Sequence, residues 1–81
     1  MKPSNRFITD TYHLRDDNYI DIVIDKEFNK LESYIYNTNY GLKMYMFGQE
    51  YNSFSQYEEF RILVEENAED YLESYYTLLE E

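Results

Sequence analysis

The periodicity of apolar residues changes once along this chain, near residue 55. Before that point apolar and polar residues alternate, and in the segment 19–25 Ile20, Ile22 and Ile24 share one face at the strand period of two. After it, apolar residues recur at the helical spacing of three and four. A chain with this order forms strands first and a helix last, so the sequence predicts an α+β fold.

Short polar segments divide the first part of the chain into predicted strands. These strands span Phe7–Leu14, Tyr19–Asp25, Leu31–Asn37 and Leu42–Phe47. The segment 15–18 is rich in Asp and Asn, which are typical of tight turns, and the segment 38–41 has the Asn and Gly of a hairpin turn. We expect Gly41 to supply a positive φ in its turn and Gly48 to end the last strand. Strands joined by such short turns form an antiparallel meander of three to four strands.

The C-terminal part of the chain predicts one long amphipathic helix over residues 55–81. Its apolar stripe, which we expect to pack on the inner face of the sheet, comprises Tyr57, Phe60, Val64, Ala68, Tyr71, Leu72, Tyr75, Leu78 and Leu79. Ser53 and Ser55 precede Gln56 and Glu58 at the spacing of a capping box, which marks the helix start. An unbroken helix is about 40 Å long at 1.5 Å per residue. A second N-cap at Asn67 is the alternative, and it divides the helix in two.

The composition describes one ordered domain without cysteine chemistry. Of 81 residues only two are Gly and one is Pro, so we expect a single domain over 1–81, with strands in 1–54. The absence of Cys excludes disulfides and thiolate zinc sites. No apolar run is long enough to cross a bilayer, and the opening segment 1–6 has no apolar core of a signal peptide behind it. We therefore expect a cytoplasmic protein.

Negative charge is concentrated in the predicted helix. The chain contains 17 Asp and Glu against seven Lys and Arg, and its net charge is −10. Residues 55–81 hold nine of the acids and one base, Arg61, and so carry −8 of that charge. Such a chain is repelled by nucleic acids and anionic membranes, so direct binding to either is not expected. A protein partner, in contrast, is expected to be basic.

On a helical wheel the acidic residues lie opposite the apolar stripe and form one outward face. The predicted partner-binding residues are Glu58, Glu59, Glu65, Glu66, Glu69, Asp70, Glu73 and the bordering Tyr76, and Glu80 continues the face. Like charges three and four residues apart destabilise a helix by about 0.2–0.5 kcal/mol per pair before salt screening. Carboxylates at this spacing suit a groove lined by Lys and Arg. The alternative interpretation is an ordinary solvated helix face.

The sequence resembles small, acidic, phage-encoded anti-CRISPR proteins that mimic DNA. The features that carry the resemblance are the short length, the meander from Tyr19 to Phe47, the acidic C-terminal helix, the absence of Cys and a vocabulary rich in Asn, Tyr, Ile and Glu. The resemblance implies an inhibitor that acts in the host bacterial cytoplasm. It also implies that the target is the basic DNA- or PAM-binding surface of a CRISPR effector nuclease or of another DNA-binding defence enzyme.

No catalytic, cofactor or metal site is predicted. His13 is the only His in the chain, and neither a second His nor a Cys accompanies it in a metal site or a nucleophilic dyad. The segment 16–21 is acidic like a calcium-binding loop, but it lacks the required Gly and the closing Glu. Gly-rich phosphate loops and nucleophile elbows do not occur. We expect a binding protein and not an enzyme.

The aromatic content allows a second function. Tyr34, Tyr36 and Tyr45 lie on predicted strands, where they form either stabilising cross-strand pairs or an exposed patch. Met44 and Met46, with Leu42, alternate as the core face of the fourth strand. The alternative function is a non-catalytic assembly protein that forms a homo-oligomer through its Tyr-rich sheet. The acidic helix then serves only solubility.

Overall fold

The computed structural model describes residues 5–81, which form one antiparallel sheet and one helix. The elements are β1 (Phe7–Arg15), β2 (Asn18–Asp25), β3 (Lys30–Asn37), β4 (Lys43–Glu50) and α1 (Phe54–Leu79). The sheet order is β1-β2-β3-β4, so each strand pairs with its neighbour in the chain. The predicted α+β meander is confirmed, with all four strands present.

The sequence predicts neither a membrane span nor a signal peptide. In residues 5–81 no helix combines the length and the apolar character that a membrane span requires. The prediction about a signal peptide rests on residues 1–6, of which residues 1–4 lie outside the described residues.

Strand register gives the sheet one strongly apolar face, which we call the inner face. Ile20 of β2 pairs with Ile35 of β3, and Ile24 pairs with Leu31. Side chains two residues apart on a strand point the same way, so these residues share a face with Ile22. Four of them, Ile20, Ile22, Leu31 and Ile35, are fully buried.

The helix covers the inner face with its apolar stripe. The stripe residues that become buried are Tyr57, Phe60, Val64, Ala68, Leu72 and Tyr75. The ring of Phe60 packs edge-on against that of Phe47 of β4, with centroids 5.3 Å apart. The fully buried Tyr75 hydroxyl donates to the Leu42 carbonyl (2.7 Å) and accepts from the Asn37 N–H (3.2 Å). The C-terminal half of α1 is thereby fixed to the turn between β3 and β4.

α1 is one continuous helix of 26 residues, which decides between the two predicted forms. Asn67 does not cap a second helix, because its side-chain amide donates to the Leu63 carbonyl one turn earlier. Ser53 is the N-cap residue, yet its side chain makes no capping hydrogen bond. The Gln56 side-chain oxygen instead accepts from the backbone N–H of Asn52. The predicted capping box therefore marks the helix start without forming its reciprocal bonds.

Four residues in and around the core test the predicted core faces. Leu78 belongs to the predicted apolar stripe, but its side chain is 38% exposed because it lies at the edge of the stripe in the last helical turn. Met46 is buried and Met44 packs against the core, as expected for the core face of β4. Leu42 departs from that expectation, since it precedes β4 and remains 40% exposed.

Both glycine predictions are wrong. In the described chain no Gly has a positive φ; the left-handed residues are Asp16 (φ 53°) and Asn29 (φ 52°), types whose short polar side chains tolerate that region. Gly48 does not end β4, which continues to Glu50. A Cβ at Gly48 would lie 2.5 Å from the Leu31 carbonyl oxygen and 2.9 Å from the Tyr45 hydroxyl. Close approach between strands explains this glycine.

We expect Gly48→Ala to lower the free energy of unfolding by about 1–3 kcal/mol, because the added methyl group meets rigid backbone of β3. Gly41→Ala is the matched control, since its added methyl group would have no heavy atom within 4 Å and its φ is ordinary. We expect that control to change stability by no more than about 0.5 kcal/mol. Urea unfolding followed by circular dichroism measures both, and equal stabilities of the two variants would contradict the close-approach explanation.

Candidate functional site

The carboxylates of α1 fall into two groups around the helix axis. At about 100° per residue, five of them lie within roughly 80° of each other and opposite the buried stripe. We call this group the outer stripe; it comprises Glu59, Glu66, Asp70, Glu73 and Glu80. Three more lie along the side of the helix that borders β1, and we call them the flank; they are Glu58, Glu65 and Glu69. All eight side chains are exposed, as the sequence predicts.

Two arginines partly neutralise the flank. Arg15, at the end of β1, holds Glu69 in a bidentate ion pair, with Nε–Oε2 and Nη2–Oε1 distances of 3.1 and 3.0 Å. The hydrogen bond from Arg15 lowers the pKa of the Glu69 carboxyl. Arg61 lies one turn before Glu65, with Nε 3.6 Å from Oε1. Two of the predicted partner-binding carboxylates therefore already have intramolecular partners.

The outer stripe has no such compensation. None of the ion pairs formed within residues 5–81 includes one of its carboxylates. From Glu59 to Glu80 the stripe extends about 32 Å along the helix axis at 1.5 Å per residue. It is a line of uncompensated negative charge on the outermost side of the molecule.

Two apolar side chains that the sequence analysis did not select lie among these carboxylates. Ile62 is 55% exposed and Leu63 is 43% exposed, both between Glu59 and Glu66 on the outward side of α1. Their position outside the apolar stripe was a signal available in the sequence. Consecutive helix residues point about 100° apart, so the two side chains border the outer stripe on opposite sides and do not form one apolar patch.

Tyr76 is held at the edge of the flank by a hydrogen-bond chain. Its hydroxyl accepts from the Asn18 side-chain amide at 2.7 Å, and the Asn18 side-chain oxygen accepts from Asn37 at 2.9 Å. Asn18 is fully buried, while Tyr76 remains 36% exposed. The structure therefore places this predicted partner-binding residue in a fixed orientation beside the flank.

The sheet face opposite α1 is a second surface, which we call the open face. Four tyrosines lie on it in two cross-strand pairs: Tyr19 stacks on Tyr36 with centroids 6.0 Å apart, and Tyr34 meets Tyr45 edge-on at 5.6 Å. Within residues 5–81 no element covers these rings. The two alternatives predicted for the tyrosines thus coexist, because the rings pair across strands and also form an accessible surface.

A buried carboxylate, Asp21, lies at the centre of the open face. It is 4% exposed and accepts hydrogen bonds from Lys43 Nζ (2.6 Å), Thr11 Oγ1 (2.7 Å) and the Tyr36 hydroxyl (3.2 Å). Burial alone raises the pKa of Asp21, but these hydrogen bonds together outweigh burial and lower the pKa. An aspartate held ionised in this way is a structural anion and not a proton donor.

Two depressions on the part of the chain that the structure describes are open to solvent. One depression of about 300 Å³ lies over Gly48, and another of about 310 Å³ follows the flank from Phe54 to Glu65. His13 lies on the open face beside Tyr19, where a ring nitrogen contacts the Asp16 carbonyl oxygen. Among residues 5–81 no three His, Asp or Glu side chains converge as a metal site would require.

No protein-family model, curated protein or solved structure matches this chain.

We expect the triple variant Glu66→Gln, Asp70→Asn, Glu73→Gln to be more stable than the native chain at low salt. It removes the like-charged pairs Glu66/Asp70 and Asp70/Glu73, each costing about 0.2–0.5 kcal/mol. The gain shrinks in about 0.5 M salt, where charges are screened. Urea unfolding at low and high salt measures this difference in the free energy of unfolding.

The matched control removes the same number of charges from the turns and strand ends of the sheet. It carries Asp16→Asn, Glu27→Gln and Glu50→Gln, and all three positions are exposed. We expect no gain, because two of these carboxylates pair with Arg15 and Arg6. A control that gains as much as the outer-stripe variant would show that only net charge matters.

We expect Lys43→Met to unfold at a higher pH than the native chain during acid titration. The folded-state pKa of Asp21 lies below its unfolded value, so its contribution is present above about pH 3.9 and is lost as pH falls through the folded pKa. Without Lys43 the buried carboxylate loses its cation, which costs about 1–3 kcal/mol at neutral pH. Lys26→Met, in an exposed turn, is the control and keeps the native acid midpoint.

Proposed function

We propose that this chain is a non-catalytic inhibitor that binds a basic protein surface through the outward face of α1, in the place that nucleic acid otherwise occupies. The observation that carries the proposal is the outer stripe: four carboxylates on one continuous helix and Glu80 at its C-cap, with no ion pair to another described residue. A solvated face that served only solubility has no need to keep its charges in one uncompensated line.

The charge density of the outer stripe supports nucleic-acid mimicry. Five carboxylates over about 32 Å give one charge per roughly 6 Å of axis, and a single DNA strand carries one per about 3.4 Å. The stripe thus has about half the density of one strand, and Glu58 on the flank adds a further charge. A groove lined with Lys and Arg attracts such a face over long range and releases counterions on binding.

Ile62 and Leu63 add what nucleic acid lacks. Both side chains are exposed near the middle of α1, and at about 100° per residue they lie on opposite sides of Glu59 and Glu66. They therefore meet the walls of a groove whose floor contacts the carboxylates. Apolar contacts of this kind are insensitive to salt and raise affinity beyond counterion release. They offset the lower charge density of the stripe and allow the protein to displace DNA.

The target we propose is the DNA- or PAM-binding surface of a CRISPR effector nuclease, with the chain acting as a phage-encoded anti-CRISPR protein in the bacterial cytoplasm. The resemblance in sequence character supports this choice, and such surfaces depend on Arg and Lys. Another DNA-binding defence enzyme presents the same chemistry and is the alternative target.

The test is a DNA-binding assay with a panel of purified CRISPR effector complexes. We expect the native chain to prevent target-DNA binding by at least one effector, with an inhibitory strength that falls steeply as salt rises. The variant Glu66→Gln, Asp70→Asn, Glu73→Gln is expected to inhibit about tenfold or more weakly. The sheet control Asp16→Asn, Glu27→Gln, Glu50→Gln has the same net charge as the outer-stripe variant. We expect it to inhibit as strongly as the native chain.

Two outcomes contradict the proposal at different levels. If no effector is inhibited, but DNA displaces a different DNA-binding nuclease from the immobilised chain in a bacterial lysate, the target is wrong and the mimicry stands. If the outer-stripe variant and the sheet control inhibit equally, the outer stripe is not the binding surface and the mimicry itself fails.

A further inference from the structure

The open face presents aromatic surface along its whole length. Tyr45 on β4 is 52% exposed, and Phe7 on β1 is 54% exposed. The Arg6 guanidinium lies 4.7 Å from the ring centroids of both Phe7 and Phe28, and Phe28 is 60% exposed. Tyrosine, phenylalanine and arginine are the residue types enriched at protein interfaces.

The open face is also close to neutral, in contrast to α1. Lys43 neutralises Asp21 at 2.6 Å, and Arg6 holds Asp25 through two hydrogen bonds of 3.0 Å. Both aspartates are buried beneath their cations. Strand register also places Lys30, Glu32 and Glu50 on this face, and none of them joins an ion pair within residues 5–81. The surface therefore consists of aromatic rings, two satisfied ion pairs and a few further charges of both signs, and it selects neither an acidic nor a basic partner.

We propose that the open face binds a second copy of this chain, forming a symmetric dimer in which two sheets pack face to face. Stacked layers lie about 10 Å apart, so the two α1 helices lie outermost and about 30 Å from each other. That separation is more than three Debye lengths at physiological salt. Two chains of charge −10 associate in this geometry with little repulsion, whereas contact through α1 would oppose two negative faces.

The area of the open face predicts a weak dimer. Four strands of about eight residues cover roughly 500 Å² at 4.8 Å between strands and 3.3 Å per residue. Two such faces bury about 1,000 Å² in total, near the lower limit of specific interfaces. We therefore expect association that depends on concentration and dissociates on dilution.

The test is sedimentation velocity over a range of protein concentrations, from about 10 μM to about 1 mM, a span that brackets weak interfaces. Tyr45→Glu places a charge in the proposed interface. Tyr40→Glu is the matched control, because Tyr40 is 54% exposed and lies in the turn between β3 and β4. We expect the native chain and Tyr40→Glu to dimerise equally and Tyr45→Glu to associate at least tenfold more weakly.

Several outcomes overturn the proposal. The proposal is wrong if the native chain stays monomeric at the highest concentration. It is also wrong if Tyr45→Glu and Tyr40→Glu dimerise equally. Protection of the β1 amides that face away from β2 in hydrogen exchange indicates edge-to-edge pairing instead. If circular dichroism shows Tyr45→Glu unfolded, Phe7→Glu at the exposed corner of β1 replaces it.

This proposal is independent of the proposed inhibition, because the two use opposite sides of the molecule. The outer-stripe variant is expected to dimerise at least as well as the native chain. Loss of DNA competition with intact dimerisation, or the reverse, therefore identifies which proposal has failed.

Discussion

Burial of the α1 stripe on the inner face is the interaction on which the rest of the structure depends. The fully buried Phe60, Val64 and Tyr75 of the helix pack against Ile20 and Ile35 of the sheet, in a chain that has no Cys to form a disulfide. A domain of this size has room for one core between two layers. It follows that each layer keeps one side outside the core, and these two outer sides differ in charge and chemistry.

The two outer sides differ in charge because some carboxylates are paired with a cation and others are not. On the sheet, Asp21 and Asp25 are buried, and each is held by a cation from a neighbouring segment, because a buried charge without a partner is costly. On α1 the outer-stripe carboxylates are solvated and need no partner to be tolerated. Structural requirements therefore explain these two acids of the sheet, and they do not explain those of the outer stripe. That contrast is why we assign function to the latter.

The sequence predicted the elements well because their patterns are local. Alternation in β2 and the stripe of α1 report burial directly, and both were confirmed apart from Leu78 at the edge of the stripe. What escaped prediction depends on contacts distant in the chain: Arg15 reaches Glu69 across 54 residues, and Gly48 is required by the backbone of β3. The wheel also predicted one acidic face where the structure separates outer stripe from flank, because only the fold places Arg15 beside the helix.

The sheet also makes the acidic helix usable as a binding element. An isolated helix of this length with uncompensated charges is marginally stable and pays a large ordering cost on binding. Here the Tyr75 hydroxyl is bonded to the turn after β3, and Tyr76 is bonded to Asn18 of β2. These ties hold the last turns of α1, where Asp70, Glu73 and Glu80 extend the outer stripe. The backbone positions that carry the carboxylates are therefore ordered before binding, which in the proposed complex lowers the entropy lost when a basic groove closes on them.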